Sequence, residues 1–453
     1  MPSRLLVCRL VVCVIAAGLC FGALAQSETP SPPSGAPLQL TLQQALDQAL
    51  RCHPDVLSAQ AAVVQARAQA RIQEARRWPT VDLEGSVNKT QSLGRPSNVG
   101  GVVIVSSGQR STQRDVAAVL NYNVYETTRE REIRRAQTLA EAQAFGVPDA
   151  QRLLAFEVRQ AYYNILAQRQ LARAMMQSLA AAERHRDMVA ARIEAGTAPE
   201  SDLLPVEVEV AQARLDSVQA ETQLEVALAS LKALLQLPVD TTLNLADTLP
   251  EGTFSGTAQQ LVTLAEQARP DVSEQRLNVR AAQLATEAAK QQRGVQLEAG
   301  ASADYGRHTG VTGEAWSLQV GATYPLFDAG SARAAAVSAQ AQQEQAVQRL
   351  NGLLLNLQRD VESALQQLRQ TTTGMEVASV ARRSAENSLA AAEARYKEGL
   401  AIIIEVTDAQ VALLQAQVSE VQARYDHSVA LASLTEAVGC DPTAAPVEQK
   451  GNQ

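Results

Sequence analysis

Two stretches of this chain are too long and too uniformly helical to fit inside a compact domain. From about Arg129 to Glu194, and again from about Ala332 to Glu398, apolar and polar residues recur at helical spacing. A helix of the first length reaches roughly 100 Å, against the ~30 Å of a small domain. Gly146-Val-Pro148 interrupts the first run, and a kink or local break is expected there because proline has no N–H to give. Each run ends near a glycine, Gly196 or Gly399, suited to the left-handed turn that stops a helix. A further helix follows each glycine. The first carries an apolar seam at Leu204, Val208, Ala211, Leu215, Val218 and Thr222, the second at Ile404, Val411, Leu414, Val418, Val421 and Tyr425. Steps of three and four make these heptad seams, so each long helix folds back as a coiled-coil hairpin.

The two bends are copies of one another. Ala191 to Leu204 lies 203 residues before the corresponding part of Arg395 to Asp408, with Arg192, Gly196 and Asp202 on Arg395, Gly399 and Glu405. Pro205 stands where Asp408 does, so the second bend is the more acidic. Cys52-His-Pro-Asp-Val56 and Ala268-Arg-Pro-Asp-Val272 match at an offset of 216. Residues 40–250 and 251–438 thus read as two structural repeats. In the first, Thr41 caps a short helix and Pro54 opens the next at its first turn.

The ends read differently. Residues 1–25 have the basic, apolar and Ala-x-Ala parts of a secretory signal, with a retained anchor as the competing reading. Cys20 raises lipidation, but Leu19 stands before it where a small residue is wanted. A Pro/Ser-rich linker, 26–39, and a polar tail, 439–453, are expected to be disordered. Removal of the signal leaves Cys52 and Cys440, either bridged or as two thiols. No later run approaches the length of a membrane-spanning helix, so any insertion must use strands.

Between the helices the period changes from helical to two. Val81, Leu83, Gly85 and Val87 alternate with Asp82, Glu84, Ser86 and Asn88; a polar, Gly-rich stretch from Lys89 to Gln113 is read as a long loop. Val116, Ala118, Leu120, Tyr122 and Val124 then oppose Asp115, Asn121 and Asn123. The second half repeats this from Val295 to Tyr305, including Glu298 and Asp304 on the polar side, and from Trp316 to Leu326. Each segment is about ten residues with one apolar face, the length of a tilted transmembrane strand. A soluble sheet packed on one side is the competing reading. Against it, no spare amphipathic helix is available as a cover, and aromatics cluster near the strand ends at Trp78, Tyr122, Tyr125, Tyr305, Trp316, Tyr324 and Phe327. Basic residues also sit at all four strand–helix boundaries, among them Arg76, Arg129, Arg293 and Arg333.

Four strands cannot close a barrel, and lipid does not tolerate open edges. Two copies would give eight strands and three would give twelve; the residues alone leave both open. In either, Asp82, Glu84, Asp115, Glu298 and Asp304 line an acidic, water-filled lumen. The fold class is α+β: a long-helix coiled-coil α-barrel continuous with a membrane β-barrel. A net charge of −8 argues against nucleic acid as a partner. The four histidines are scattered without metal-ligand spacing, and neither a phosphate loop nor a nucleophile elbow is present, so no catalysis and no cofactor are expected.

Tyr324-Pro-Leu-Phe-Asp-Ala-Gly330 resembles the strand-to-helix junction of the TolC-like outer-membrane efflux proteins, and Arg395 to Asp408 resembles their periplasmic bend. Its first-half counterpart, Tyr122 to Thr128, has lost the proline and glycine and matches less well. The resemblance implies a homotrimer with a twelve-stranded barrel in outer-membrane lipid and a twelve-helix periplasmic tube. It also implies an equatorial belt from the short helices near Thr41–Leu50 and Thr257–Ala268. The bends would form the entrance and meet a periplasmic adaptor protein, which links to an inner-membrane transporter. By position, Glu405 and Asp408 would form acidic constriction rings, with Arg192, Gly196, Asp202, Arg395, Gly399 and Ile403 at the tip and adaptor contact. The function implied is a passive exit duct for efflux or type I secretion. A soluble periplasmic adaptor or scaffold is the alternative.

Overall fold

A computed structural model describes residues 38–91, 96–99, 102–105, 110–250, 252, 256–308, 311–398 and 400–440. The first half contains β1 (Leu38–Leu40), α1 (Leu42–Cys52), α2 (Pro54–Ala75), β2 (Thr80–Gln91), β3 (Pro96–Val99), β4 (Val102–Val105), β5 (Arg110–Glu126), α3 (Arg129–Ala144), α4 (Gly146–Glu194) and α5 (Leu203–Leu234). Then come β6 (Leu243–Leu245), α6 (Ala258–Ala268), α7 (Pro270–Lys290), β7 (Gln296–His308), β8 (Val311–Thr323), α8 (Ser331–Lys397) and α9 (Ile403–Val438).

Local chemistry explains most of the boundaries. Thr41 accepts from the Gln44 N–H while the Gln44 side chain accepts from the Thr41 N–H, and Thr257 and Gln260 form the same reciprocal box at α6. Pro54 and Pro270 open α2 and α7, where a missing N–H costs nothing. The first long helix breaks at Phe145, between α3 and α4, because Pro148 cannot donate to the carbonyl of Ala144.

Two small cores sit where the short helices cross the long ones. In one, Ala45, Leu46 and Ala49 of α1 pack with Leu154, Val158, Tyr162 and Ile165 of α4 and Leu231 of α5. In the other, Leu261 and Ala265 of α6 pack with Leu357, Val361 and Leu365 of α8 and Leu434 of α9. The Tyr162 hydroxyl lies 3.0 Å from the Leu40 carbonyl and 2.9 Å from the Asp247 carboxylate, which also accepts from the Leu42 N–H at 2.7 Å. Burial and then the Asp247 hydrogen bond push the Tyr162 phenol well above its ordinary range, so it stays protonated and able to donate.

The helices run as two tiers. Away from the sheet the packing order is α5, α4, α9, α8; nearer it the order is α2, α3, α7, α8. The main sheet has the order β2-β5-β7-β8, antiparallel throughout.

Three expectations need correction, and one open alternative is decided. The stretch 89–113 is not a simple loop. β2 runs on to Gln91, β5 begins at Arg110, and β3 pairs with β4 between them, where Val99 and Val102-Val-Ile-Val105 supply β-branched residues. The linker ends earlier than expected, because Leu38-Gln-Leu40 pairs in parallel with Leu243-Asn-Leu245. Gly439 and Cys440 belong to the fold rather than the tail. Gly439 stops α9 at φ 84°, and a Cβ there would meet Arg269 at 3.0 Å. Finally, Cys52 and Cys440 are not bridged. Cys52 is exposed at the end of α1, in the first core's layer, whereas Cys440 packs against the second core.

Candidate functional site: a two-faced sheet and an acidic bend

The strand register decides where the five sheet acids lie. Asp82 pairs with Val119 and Glu84 with Ala117; Ser86 pairs with Asp115; Ala117 pairs with Asp304 and Asn123 with Glu298. Residues directly opposite share a face, so Asp82, Glu84, Asp115, Glu298 and Asp304 all lie on one. Ser302 and Ser317 meet on that face at 3.0 Å, and Ser86 reaches the Asp115 carboxylate at 3.5 Å. From Ser111 to Val119 of β5 the residues of this face are half-buried while those between them are exposed, so over that stretch the acidic face is the concave one.

The opposite face carries Val81, Leu83, Val87, Ala118, Ala303, Trp316, Leu318 and Val320, paired in the same way. Leu83 is 77 % exposed, Val320 76 % and Trp316 82 %. An apolar surface of this extent, uncovered across all four strands, is what a protein shows to lipid or to another chain. No helix among the described residues is long and apolar enough to cross a membrane.

Where strands meet helices, charges are tied to one another. Arg76 bridges Glu126 at 2.9 Å and Glu132 at 2.5 Å; Arg77 bridges Glu130 at 2.6 Å, and its hydrogen bond holds the Glu130 carboxyl below its ordinary range. Arg129 donates to the Asn123 carbonyl at 2.5 Å, over the β-bulge between Asn123 and Tyr125. In the motif Tyr324 to Gly330 the last two residues turn left-handed, Ala329 at φ 51° and Gly330 at φ 88°. The Asp328 carboxylate accepts from the Gly330 N–H at 3.2 Å and the Ala332 N–H at 3.0 Å, capping α8. The Ala332 bond is the main reason its pKa is lowered.

The far end is the bend. Gly196 sits at φ 71°, and the Thr197 N–H donates to the Arg192 carbonyl at 2.9 Å; the Leu400 N–H donates to the Arg395 carbonyl at the same distance, 203 residues on. Gly399 lies outside the described residues. The matching arginines diverge in their side chains. Arg192 crosses to the other hairpin, hydrogen-bonding the Tyr396 hydroxyl with its guanidinium 4.4 Å from the ring centre. Arg395 stays in its own bend, 3.1 Å from Glu405. Glu405 and Asp408 share one side of the first turns of α9, with Val406 buried between them in sequence; Asp408 is exposed and Ile403 half-buried. Asp202 ends a one-turn helix, Glu200–Asp202, that leads into α5. The structure thus draws Arg192 to the second bend and Arg395 to Glu405, and leaves Asp202 in the first.

Several groups had no sequence signal. His185 of α4 is buried with Nδ1 3.2 Å from Glu209 of α5, and Glu420 of α9 lies between Arg382 and Arg424. Arg269 bridges Asp271 at 2.5 Å across the proline that opens α7, and Arg152 bridges Asp149 and Glu436 nearby. His53, the residue matching Arg269 in the first half, would not have announced a buried ion pair. Among the described residues no cluster of three metal-ligating side chains occurs.

The pattern of the family described as outer membrane efflux protein matches residues 45–236 and 261–440. The chain belongs to that family. Its place is accordingly the outer membrane. The fold is similar to the CmeC outer membrane channel of Campylobacter jejuni, at TM-score 0.76 and 16% identity over 88% of this chain and 86% of that one. It is likewise similar to the open-state MtrE outer membrane channel of Neisseria gonorrhoeae, at TM-score 0.74 and 19% identity over 88% and 89%. At these identities the likeness is one of fold. Protein CyaE of Bordetella pertussis is 35% identical over 179 residues, which cover 38% of this chain and 36% of that relative.

Proposed function

We propose that this chain is the outer-membrane exit duct of an efflux or type I secretion system and conducts substrates passively from periplasm to exterior. Three copies would supply twelve strands and twelve helices in each tier. A periplasmic adaptor would meet the bends, and an inner-membrane transporter would supply the energy. The observation that carries this reading is the sheet: an apolar face largely exposed, an opposite face holding Asp82, Glu84, Asp115, Glu298 and Asp304, and two edges, β2 and β8, unpaired among the described residues. A monomeric soluble scaffold would leave that apolar face in water at about 25 cal/mol per Å². In a closed barrel the same face meets lipid and the acids meet the water of the lumen.

At the other end, Glu405 and Asp408 would each contribute one carboxylate per copy to a narrow aperture, where low-dielectric walls concentrate their field on passing cations. Arg395 partly offsets Glu405, which leaves Asp408 the stronger contributor. Replacing both with Ala is expected to raise single-channel conductance in planar bilayers and to reduce cation selectivity. Unchanged conductance and selectivity remove these residues from the role, and recovery of the protein as a soluble periplasmic monomer overturns the duct.

A further inference from the structure

Charge divides across the sheet as sharply as hydropathy does. The lysine and arginines of its four strands are Lys89, Arg110, Arg114 and Arg307. The register sets every one of them on the apolar face, at the end away from the helices: Lys89 pairs with Thr112, Arg110 with Gln91, and Arg114 with both Val87 and Arg307. All four are exposed. Of the strand acids only Glu314 shares this face, opposite Tyr305.

Rows across the sheet give the height of these cations. Alternate residues of an antiparallel strand are about 6.8 Å apart. From Leu297, the apolar residue nearest the helices on β7, to Tyr305 is therefore about 27 Å along the strand, or about 21 Å of height at a tilt of ~40°. A barrel's apolar band is about 25 Å tall and ends in aromatic residues. Tyr305 stands at that limit, and Arg114 and Arg307 come one row later, where headgroups begin.

Two further observations point to an anion there. Arg114 and Arg307 are directly opposed across β5 and β7, and like charges so placed repel. Among the described residues neither guanidinium has an ion-pair or hydrogen-bond partner; Glu314 stands only diagonally from Arg307. Beneath them lies a recess of about 360 Å³ lined by Gly85, Val116, Tyr305, Arg114, Arg307 and Thr312. Gly85 keeps it open, since even an added Cβ would meet nothing within 4 Å. The recess has a cationic rim and an apolar wall that runs on into the exposed apolar face.

We propose that Arg114 and Arg307, with Lys89 beside them, bind the phosphate of an anionic lipid in the outer leaflet of the outer membrane, with its acyl chains on the apolar face below. This rests on the proposed duct, which directs this end of the sheet outward. Two guanidinium forks match one phosphate in charge and geometry, and a phosphate between them turns their repulsion into a shared contact. A free phosphate would use the rim alone. A lipid uses the rim and the apolar wall together, which is why the occupant is a lipid.

The test is native mass spectrometry of the full-length oligomer in mild detergent with lipid A, an acylated disaccharide carrying two phosphates. Wild type is expected to hold lipid A several-fold more tightly than Arg114→Gln with Arg307→Gln, with Arg114→Lys and Arg307→Lys together in between. The same loss of charge on exposed positions of α8, Arg369→Gln with Arg383→Gln, should bind like wild type. Dephosphorylated lipid A should bind several-fold more weakly to wild type, an arm that needs no variant to fold. Equal binding of lipid A by wild type and the Gln pair, or of the phosphorylated and dephosphorylated lipid by wild type, overturns the site. Displacement of lipid A by millimolar inorganic phosphate makes it a free-anion site and overturns the lipid. The direction of the sheet is read separately. Thr90→Cys, with Cys52→Ser and Cys440→Ser, should react with an impermeant maleimide on intact cells. Labelling only after lysis overturns the outward direction and the duct with it; labelling from outside without a preference for lipid A overturns this site alone.

Discussion

Gly294→Ala tests whether the sheet and the helical tiers are joined as tightly as the geometry implies. Gly294 lies between α7 and β7 in an ordinary left-hand-free conformation, so the cost of a side chain there is steric. An added Cβ would stand 2.0 Å from Thr127 Oγ1, 2.3 Å from its Cβ and 2.8 Å from its Cγ2. Carbon atoms in good contact need about 3.5–4.0 Å. The Thr127 hydroxyl can rotate away, but its Cβ is fixed to the turn that links β5 to α3. The two backbones must therefore separate by more than about 1 Å, which also breaks the 3.2 Å hydrogen bond from Thr127 Oγ1 to the Val295 carbonyl. Overpacking costs about 1–3 kcal/mol and the lost bond about 1 kcal/mol, or about 2–4 kcal/mol together. Thr127→Gly removes all three clashing atoms at a cost of about 1–2 kcal/mol, for the hydrogen bond and the flexibility of glycine. The double variant should then match Thr127→Gly, a coupling as large as the Gly294→Ala cost itself, about 2–4 kcal/mol. Because such proteins unfold irreversibly, the readout is the temperature at which the purified oligomer loses its folded mobility on a gel, compared at one heating rate. The expected order is wild type, then Thr127→Gly and the double variant together, then Gly294→Ala. Wild-type resistance in Gly294→Ala, or a double variant weaker than both singles, refutes the close approach.

Two further perturbations read other joints. Asp328→Ala removes the carboxylate that caps the left-handed turn into α8 and should lower the melting temperature, with Asp328→Asn retaining part of the lost stability; equal losses in the two would dismiss the cap. Asp271→Asn leaves the buried Arg269 guanidinium without its partner, and a broken buried pair costs about 3 kcal/mol or more, visible as a lower melting temperature at neutral pH. Burial opposes the Asp271 charge, but the hydrogen bond and charge of Arg269 outweigh it and hold the carboxyl below its ordinary range. A lowered folded pKa gives stability that is present above the unfolded value of ~3.9 and lost as pH falls through the folded one. The difference between wild type and Asp271→Asn should therefore shrink below about pH 4; a gap constant from pH 7 to pH 3 would exclude the ion pair as its source.

What could be read from the residues was what is written locally. The change of period at Pro79, the glycine at 196, the proline at 148 and the threonine at 41 each act within a turn of chain, and each stands where it was expected. Long-range partners were not legible. Arg192 and Arg395 hold the same place before the bend glycine, yet one reaches Tyr396 of the other hairpin and the other reaches Glu405 of its own. The difference depends on how two hairpins lie side by side, which no spacing encodes. Likewise the β3–β4 pair was hidden by the glycines and polar residues around it, and Leu38-Gln-Leu40 by the prolines just before it. Composition averages over a window, while pairing is decided by three or four residues and the strand they find.

The edges explain why one chain is so incompletely buried. Its two cores lie where α1 and α6 cross the long helices, and elsewhere the helices present apolar residues to solvent. Among them are Leu57, Val64 and Ile72 on α2, then Leu204, Val208, Leu215 and Val218 on α5, and on the other side Val337, Leu355, Val377 and Val380 on α8, with fewer on α3, α4 and α9. α2 and α5 form the outer helices of the two tiers on the side of β2, and α8 is the outer helix of both on the side of β8. All three levels therefore end at the same two edges, one from each half of the sequence. Two unlike edges repeated on every copy make a head-to-tail contact, and such contacts close into a ring when the rotation between copies divides a full turn. In the proposed trimer, α8 would bury its stripe on α5 and α2 of the next copy while β8 pairs with β2, so the seam that closes the barrel also completes the helical cores. The stability missing from the single chain and the absence of open strands in lipid are then two consequences of one contact.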